Sequence, residues 1–256
     1  MKAFVLDRYG KKAALRLAEL PEPELRDDEV LVQVHAAGVN LLEEAASIPL
    51  VALTAWQALV EKAGLQKGQK VFIQAGSGGV GTFAIQLAKH LGATVATTTS
   101  AANAALVKSL GADVVIDYRT QDFEEILHDY DVVLNSQDGK TLEKSLRVLK
   151  PGGKLVSISG PPDPEFASDI AAPGFVKLAV RLLSAGIRRK AARRGVGYAF
   201  LFMKANGSQL REITRLLDAG AIRPVVDRVF PFEAADEAMA YVEAGHAKGK
   251  AVIKVK

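Results

Sequence analysis

The sequence contains no cysteine, and this absence removes several kinds of chemistry at once. Without thiols there is no disulfide, no thiolate zinc site and no cysteine nucleophile. No uninterrupted apolar run approaches the roughly 20 residues that a membrane span requires, and Met1 leads into strand-like alternation rather than a signal-peptide core. We therefore expect a cytoplasmic protein of 256 residues.

Side chains with catalytic spacing are also scarce. The four histidines (His35, His90, His128 and His246) are scattered and lack the spacing of paired metal ligands. None of the five tyrosines is followed by a lysine at the fourth position, which excludes the short-chain dehydrogenases. A G-x-S-x-G nucleophile elbow is missing as well. We predict no metal site and expect any redox chemistry to come from a bound cofactor.

The net charge of +4 is concentrated in one run, "IRRKAARRG", from Ile187 to Gly195. Elsewhere both signs are mixed, so no nucleic-acid face is predicted. The run, Arg188 to Arg194, is either a contact for an anionic membrane surface or acidic partner, or a solvated helix face. We favour the solvated face, because no strongly hydrophobic face is evident beside the basic residues.

Hydrophobic patterning divides the chain into three zones. Residues 1–43 alternate apolar and polar residues, which is typical of short antiparallel strands. Residues 44–218 alternate continuous apolar runs with helical periods, and this pattern indicates a parallel sheet covered on both faces. Residues 219–256 return to strand, helix and strand. The predicted fold class is α/β.

The strongest chemical signal is "KVFIQAGSGGVGTFAIQLAKHLG". Gly76, Gly78 and Gly81 satisfy G-x-G-x-x-G between a predicted strand and a predicted amphipathic helix, which is the context of a dinucleotide-binding loop. Gly76 is expected to permit the tight turn, Gly78 to let the backbone approach a pyrophosphate, and Gly81 to let helix and strand pack closely. The alternative is a loop that needs only flexibility.

The choice of dinucleotide follows from a missing acid. An NAD site carries Asp or Glu about 20 residues past the first glycine to accept the ribose hydroxyls. That position falls in "TTTSAAN", Thr97 to Asn103, and no carboxylate occurs before Asp113. Hydroxyls and an amide suit a 2′-phosphate, so NADP(H) is favoured. Thr97 to Ser100 also fit a strand end and helix cap, and both interpretations can hold together.

Several segments together resemble the zinc-independent medium-chain dehydrogenase/reductase family, in its quinone oxidoreductase and enone reductase branch. They are "EAASIPLVALTAWQAL", "GQKVFIQAGSGGVGTFAIQLAKHLGA", "LGADVVIDYRTQDF", "LKPGGKLVSISG" and "GKAVIKV". The resemblance implies a Rossmann-type doubly wound sheet, residues 44–218, inserted in a reduced GroES-like β-rich catalytic domain, residues 1–43 and 219–256. In that family a long block of the barrel follows the "GVN" segment, and here Asn40 runs almost directly into Glu43 and Glu44.

The resemblance also implies roles for individual residues, with Asn40 as the candidate catalytic residue beside the nicotinamide. The implied NADP(H) contacts are Thr54, Gly76, Ser77, Gly78, Gly79, Val80, Gly81, Thr98, Ser100, Asn103, Tyr118, Asn135, Ser136, Ile158, Ser159, Gly160, Phe200, Leu201, Phe202 and Lys250. Ser77 to Val80 would hold the pyrophosphate, and Thr98, Ser100, Asn103 and Tyr118 the 2′-phosphate. For the apolar members the alternative is core packing, and for Asn40 it is a turn.

The implied reaction is hydride transfer from NADPH to a quinone or to the β-carbon of an α,β-unsaturated carbonyl. An amide or hydroxyl would polarise the oxygen, and the proton would come from water or a nearby acid. No general acid is identified. The alternative is an NADP(H)-binding module without catalysis, because the missing block supplies a wall of the substrate pocket in the family. A homodimer is also expected from the resemblance.

Overall fold

The protein is described by a computed structural model. The structure describes residues 2–6, 15–21, 36–37, 47–245 and 247–255. The chain divides into two compact units, one formed by residues 1–48 with 224–256 and the other by residues 49–223. Each unit is described by itself.

The larger unit is built on a six-stranded parallel sheet. Its strands are β4 (Lys70–Ile73), β5 (Thr94–Thr99), β6 (Val114–Asp117), β7 (Tyr130–Asn135), β8 (Leu149–Ser157) and β9 (Gly197–Phe200). Their order across the sheet is β6-β5-β4-β7-β8-β9, and every neighbouring pair is parallel. This is the doubly wound Rossmann order, in which the direction of winding reverses between β4 and β7. The predicted α/β class and parallel sheet are confirmed.

Helices alternate with these strands. They are α1 (Pro49–Trp56), α2 (Gly79–His90), α3 (Ala104–Ser109), α4 (Phe123–Ile126), α5 (Gly139–Ser145), α6 (Pro164–Asp169), α7 (Gly174–Leu183), α8 (Ala185–Arg193) and α9 (Gly207–Asp218). A π-helical segment, Gln57–Lys62, continues α1. Side-chain caps from Asp122, Asp138 and Asp163 begin α4, α5 and α6, as expected for aspartate at this position.

The core of the larger unit explains the unbroken apolar runs. Phe72, Ile73, Val133 and Leu155 are fully buried in the central strands, and Ile85 packs from α2 with no exposed surface. Because both faces of the sheet are covered, its strands need apolar residues at successive positions rather than alternation. Among the described helices, none is long and apolar enough to cross a membrane.

The smaller unit contains two small sheets. Strands β1 (Lys2–Leu6) and β2 (Leu15–Glu19) pair antiparallel. Strand β10 (Val226–Pro231) pairs in parallel with β11 (Lys250–Lys254), and β11 pairs antiparallel with β3 (Ala36–Ala37). Helix α10 (Ala235–Glu243) connects β10 to β11, and its buried residues are Ala235 and Ala238. The predicted strand, helix and strand of the last zone are present.

Candidate functional site

The glycine-rich loop joins β4 to α2 through a turn in which Ala75, not a glycine, is left-handed, with φ of 52°. The Ala75 N–H donates to Thr98 Oγ1 (3.1 Å), and the Gly78 N–H donates to the Ala75 carbonyl (2.9 Å). Gly76 has no positive φ. The unusual backbone angle of the turn therefore lies one residue before Gly76, and the predicted role of Gly76 in the turn does not depend on its own φ.

The three motif glycines differ in what surrounds them. A Cβ on Gly76 would collide with the Thr97 side chain of β5, and one on Gly81 would lie 2.7 Å from the Cα of Gly76. A Cβ on Gly78 would meet only the Ala75 carbonyl, at 3.3 Å. Gly76 and Gly81 are thus required by close packing of loop, helix and strand, whereas Gly78 leaves the loop backbone open to a ligand.

Helix α2 presents its N-terminus at this loop. Gly78 is its N-cap and supplies no side-chain hydrogen bond, and the first turn contains no acidic residue. The first N–H groups of a helix have no partner inside it and carry partial positive charge. Lys89 and His90 lie in the last turn, where cations are favourable. The end of α2 nearest the loop is therefore suited to an anion such as a pyrophosphate.

The hydroxyls of β5 are used inside the protein. Thr97 donates to the Ile73 carbonyl (2.6 Å), Thr98 accepts from Ala75, and Thr99 donates to Ser77 Oγ (2.9 Å). All three threonines are buried, with Thr98 only 7% exposed. The Thr98 hydroxyl oxygen holds the turn as an acceptor while its O–H can still donate, so the predicted contact of Thr98 with a 2′-phosphate stays a prediction. The interpretation of these threonines as a strand end also fits.

Ser100 and Asn103, by contrast, retain free polar groups. Ser100 occupies the N-cap position of a short 3₁₀ turn, Ala101–Asn103, without making a side-chain cap. The Asn103 amide donates to Ser77 Oγ (3.3 Å), while its carbonyl oxygen is buried without a hydrogen-bond partner among the described residues. A buried orphan acceptor costs about 1–3 kcal/mol unless a donor arrives. A ribose hydroxyl is a donor of the required kind.

The charged side chains around β5 agree with the absence of an acid at its carboxyl end. Asp113 hydrogen-bonds the Val95 N–H (2.7 Å) and Lys89 at the opposite end of β5, so it is not available beside Ser100. Tyr118 follows β6, is 59% exposed, and has the Arg119 guanidinium 5.9 Å from its ring centroid. An arginine beside this edge suits a 2′-phosphate. Arg119 was not predicted from the sequence, although it directly follows Tyr118 there.

A closed polar network fills the edge at β7 and β8. Asn135 is fully buried, donates to Gln74 Oε1 (2.7 Å) and accepts from the hydroxyl of Ser157 (2.7 Å). Gln74 also donates to Ser145 Oγ (2.8 Å), and the Gly160 N–H donates to Ser157 Oγ (2.8 Å). The predicted cofactor contact by the Asn135 side chain is not supported, because its amide nitrogen and its carbonyl are already paired. Its geometry is that of a positioning residue.

The remaining predicted residues at β7 and β8 lie on the surface of this network. Ser136 is partly buried, with its hydroxyl 3.4 Å from the Gln74 carbonyl. Ser159 is exposed and donates to the Gln137 carbonyl (2.6 Å), and Ile158 and Gly160 are partly buried. The structure thus brings Ser136 and Ser159 to the carboxyl edge of the sheet, next to the reversal of winding where α/β sheets bind ligands.

A cavity of about 340 Å³ lies in the same unit, beyond the end of β9. It is lined by Gln57, Glu61, Lys62, Glu165, Phe166, Asp169, Phe200, Leu201, Phe202, Lys204, Asn206 and Gln209. Phe166 packs edge-to-face on Phe200 (5.2 Å between centroids), and Gln57 donates to the Lys204 carbonyl (2.7 Å). Phe202 is 65% exposed. The three predicted residues Phe200 to Phe202 are therefore together at a cavity.

Buried side chains fix the approach to this cavity. Asp163 caps α6 through the Phe166 N–H (2.9 Å) and also accepts from the Phe200 N–H (2.9 Å), which ties the end of β9 to α6. Tyr198 donates to the Pro161 carbonyl (2.6 Å), and burial, with the nearby charge of Asp163, raises the pKa of its hydroxyl. Tyr198 therefore stays protonated near neutral pH, with its O–H bonded to the Pro161 carbonyl.

Three predicted residues fall elsewhere. Thr54 is buried in α1 and donates its hydroxyl to the Leu50 carbonyl (2.6 Å), so its predicted contact from the barrel side is not supported. Lys250 belongs to the smaller unit, where burial lowers the pKa of its ammonium. Asn40 lies outside the described residues. In the part of the chain that the structure describes, no group of three or more histidines and acids is placed to hold a metal ion.

The strand order, the packed glycines and the open N-terminus of α2 define a Rossmann dinucleotide-binding unit. The family model for zinc-binding dehydrogenases matches residues 110–253, more than half of the chain. The protein belongs to this family, that of the medium-chain dehydrogenases/reductases, as the resemblance predicted.

The chain is also similar to individual proteins of known class. The chain is 42% identical to the mitochondrial NAD(P)H oxidoreductase RTN4IP1 of Danio rerio, over 83% of this chain and 57% of that protein. It is 36% identical to the 2-methylene-furan-3-one reductase of Solanum lycopersicum, over 88% of this chain and 50% of that one. The quinone oxidoreductase of Thermus thermophilus, solved also with NADPH, matches with a TM-score of 0.76 and 26% identity over 100% of both chains. The chain spans about half the length of the two curated relatives.

Proposed function

We propose that this protein binds NADP(H) and transfers hydride from NADPH to a quinone or an α,β-unsaturated carbonyl compound. The observation that carries the proposal is the polar edge at the end of β5, where an acid is missing, the Asn103 carbonyl is unpaired and Arg119 follows the neighbouring strand β6. The missing acid and the arginine fit a phosphorylated ribose rather than the free diol that an aspartate would bind, and the unpaired acceptor fits the remaining ribose hydroxyl. They stand next to the N-terminus of α2, which suits a pyrophosphate.

The residues divide the binding of NADP(H) between them. The N–H groups of Gly79 and Val80, in the first turn of α2, would hold the pyrophosphate. The Asn103 carbonyl would accept from a ribose hydroxyl, and Ser100, with Arg119, would hold the 2′-phosphate. Arginine is suited to this task because its planar guanidinium binds phosphate oxygens in pairs.

When bound, NADPH supplies the hydride, so the protein needs to supply position and exclusion of water. The exposed ring of Phe202 and the half-buried ring of Phe200 offer apolar surface beside the cavity. Because the Tyr198 O–H is already bonded to the Pro161 carbonyl, we propose that the proton added to the acceptor comes from water. The absence of cysteine also removes the thiolate ligands common in zinc dehydrogenases, and we propose a zinc-independent reaction.

The names of relatives support the class of reaction. One is an NAD(P)H oxidoreductase, one reduces a methylene-furanone, and the solved neighbour is a quinone oxidoreductase with an NADPH complex. A methylene ketone and a quinone share a conjugated carbonyl that accepts hydride. Cytoplasmic location and a homodimer remain predictions, and the relatives include a mitochondrial enzyme.

A second candidate is an NADP(H)-binding module without catalysis. It is favoured by one observation, that the chain spans 57% and 50% of the two curated relatives. The predicted gap after Asn40 would remove a wall of the substrate pocket while leaving the residues that bind NADP(H). The two candidates therefore agree on binding and differ only in turnover.

The decisive experiment measures binding and turnover separately. Calorimetry gives the affinities for NADPH and NADH, and the absorbance of NADPH is then followed after adding a simple quinone and, separately, an enone. Binding selective for NADPH with acceptor-dependent oxidation supports the reductase. Selective binding without oxidation supports the binding module, and equal binding of NADH would contradict the assignment of the Asn103 edge.

A further inference from the structure

Helices α7 and α8 meet at Ser184, which is the C-cap of the first and the N-cap of the second. The Ser184 N–H donates to the Val180 carbonyl (3.1 Å), and the Arg188 N–H donates to the Ser184 carbonyl (3.0 Å), so the hydrogen bonds of α7 end and those of α8 begin at this residue. Ser184 is fully buried. At 1.5 Å per residue, Gly174 to Arg193 span about 30 Å.

One face of this helix pair is held by the protein. Val180, Ile187 and Ala191 are at most 9% exposed, and Val176 packs against the small cluster that contains Val180. With about 100° of rotation per residue, these positions fall on a single side that includes Ser184. Both halves of the pair therefore turn the opposite side outward together.

The outward side is apolar in its first half. Phe175 is 76% exposed, Leu178 58%, Leu182 67% and Leu183 68%. Phe175, Leu178 and Leu182 are three and four residues apart and so share the outward side of α7, whereas Leu183 lies at its flank. They form a surface unlike the isolated apolar residues that any protein exposes. Lys177 and Arg181 flank this surface and are also exposed.

The second half of the same side is basic. Continuing the helical spacing from Phe175, Leu178 and Leu182 leads to Arg189 and Arg193. Both arginines are exposed and make no ion pair among the described residues. Lys190 is different, because it pairs with Glu143 (2.5 Å). An apolar half followed by unpaired cations is the chemistry of a helix that lies in the interface of an anionic bilayer.

We infer that the outward side of α7 and α8 docks on a membrane surface containing anionic lipid, with Phe175, Leu178 and Leu182 in the acyl boundary and Arg189 and Arg193 against the headgroups. The sequence alone favoured a solvated face for the basic run because an accompanying hydrophobic face was not evident. The structure supplies that face in the preceding helix. The inference does not depend on hydride transfer, and it would place the protein where lipophilic conjugated carbonyls are found.

Flotation of the full chain with vesicles tests the inference without any cofactor. Phosphatidylcholine vesicles are compared with vesicles that also contain phosphatidylglycerol. We expect binding only to the anionic vesicles, weakened by added salt. Leu178→Ser with Leu182→Ser should weaken it about tenfold or more through lost apolar burial, and Arg189→Ala with Arg193→Ala about 25-fold, at about fivefold per charge.

Matched controls use exposed residues elsewhere. Ile126→Ser with Met239→Ser removes two apolar side chains that are 42% and 50% exposed, and Arg211→Ala with Arg215→Ala removes two arginines of α9. Both controls should float like the wild type, and circular dichroism should show all variants folded. Absence of flotation, or flotation unchanged by the α7 and α8 substitutions, overturns the inference. So does a dimer in sedimentation analysis that the leucine substitutions abolish, since a second copy would then cover this face.

Discussion

The two sides of the sheet reversal use the same kinds of side chain in opposite ways. On the β7 and β8 side, Asn135 is fully buried, and both its amide nitrogen and its carbonyl are paired within the protein. On the β5 side, Asn103 has a paired amide nitrogen and an unpaired, buried carbonyl. One asparagine completes a closed network, and the other leaves an acceptor for a ligand.

The difference shows that residue type does not decide which polar group binds and which one supports. Hydrogen-bond satisfaction decides it, because a buried group that is already paired gains little from a ligand. The hydroxyls of β5 repeat the lesson, since Thr98 holds the turn while Ser100 makes no cap. Whether such a side chain is paired depends on residues far along the chain.

The largest expected effect on stability is on the β7 and β8 side, where the polar network is closed. Asn135→Ala would leave Gln74 Oε1 without a donor and the Ser157 O–H without an acceptor in the core, which we expect to cost about 3 kcal/mol of unfolding free energy. Urea unfolding measures it. The neighbouring substitution Ser136→Ala, at a partly buried hydroxyl with two long contacts of 3.4 and 3.5 Å, should change stability by less than about 0.5 kcal/mol. Equal effects at the two positions would mean that the network is not closed.

On the β5 side, we expect a substitution that crowds the glycine loop to disrupt the site. Gly81→Ala places a methyl group 2.7 Å from the Cα of Gly76, so loop and helix must separate, and we expect a loss of about 2 kcal/mol with weaker NADPH binding. Thermal unfolding and calorimetry measure the two quantities. Gly139→Ala is the matched control, because a Cβ there meets nothing within 4 Å. If Gly81→Ala binds NADPH normally, the close approach of α2 is not needed for the site.

At the other end of β7, the charged pair of Asp131 and Lys150 can be compared with the uncharged network of Asn135. Asp131 accepts from the Lys70 N–H (2.9 Å) and pairs with Lys150 (2.6 Å). Burial raises the pKa of Asp131, but the hydrogen bonds from Lys150 and Lys70 and their charges outweigh it and hold the pKa below its ordinary value. The carboxylate therefore contributes stability above its unfolded pKa of about 4, and this contribution is lost as pH falls through the lower folded pKa.

Asp131→Asn should accordingly cost about 1–2 kcal/mol near pH 7. The difference from the wild type should shrink as pH falls below about 4, as chemical unfolding at a series of pH values would show. The effect of Asn135→Ala should not depend on pH over this range, because its network contains no titrating group. A pH-independent deficit for Asp131→Asn would contradict the role given to the ion pair.

The smallest expected effect tests the unpaired acceptor. Asn103→Ala removes one hydrogen bond to NADPH and should weaken binding about fivefold, equivalent to about 1 kcal/mol, with little change in stability. Calorimetry with NADPH measures the binding, and urea unfolding measures the stability. Stronger loss of stability than of binding at Asn103 would place this residue with the closed network.

The parallel sheet and the glycine loop were predictable because their signals are local. Continuous apolar runs need only the covered faces of a sheet, and Gly76 and Gly81 are required by contacts that any such loop makes. The roles of Thr54, Thr98 and Asn135 were not predictable. Each depends on whether its hydroxyl or amide finds a partner, and for Thr98 and Asn135 that partner is in another strand or loop.

The exposed side of α7 could not be predicted from the sequence either. The segment "GFVKLAVRLL" contains apolar residues at nearly every position, so its pattern does not say which side of α7 the protein covers. The packing of Val176 and Val180 decides it and leaves Phe175, Leu178 and Leu182 outside. The sequence spacing already places Arg189 and Arg193 on the same side as Leu182. It does not show that this side is exposed, which only the packing of Val176 and Val180 decides.

The strand order has a consequence for the folding pathway. Strands β4, β5 and β6 follow one another along the chain, as do β7, β8 and β9, but the junction between the halves pairs Val71 with Val132, about sixty positions away. Closing this seam costs more chain entropy than building either half, so it should form late. The hydrogen bond from Asn135 to Gln74 crosses the seam. Its loss should therefore speed unfolding while leaving the folding rate nearly unchanged.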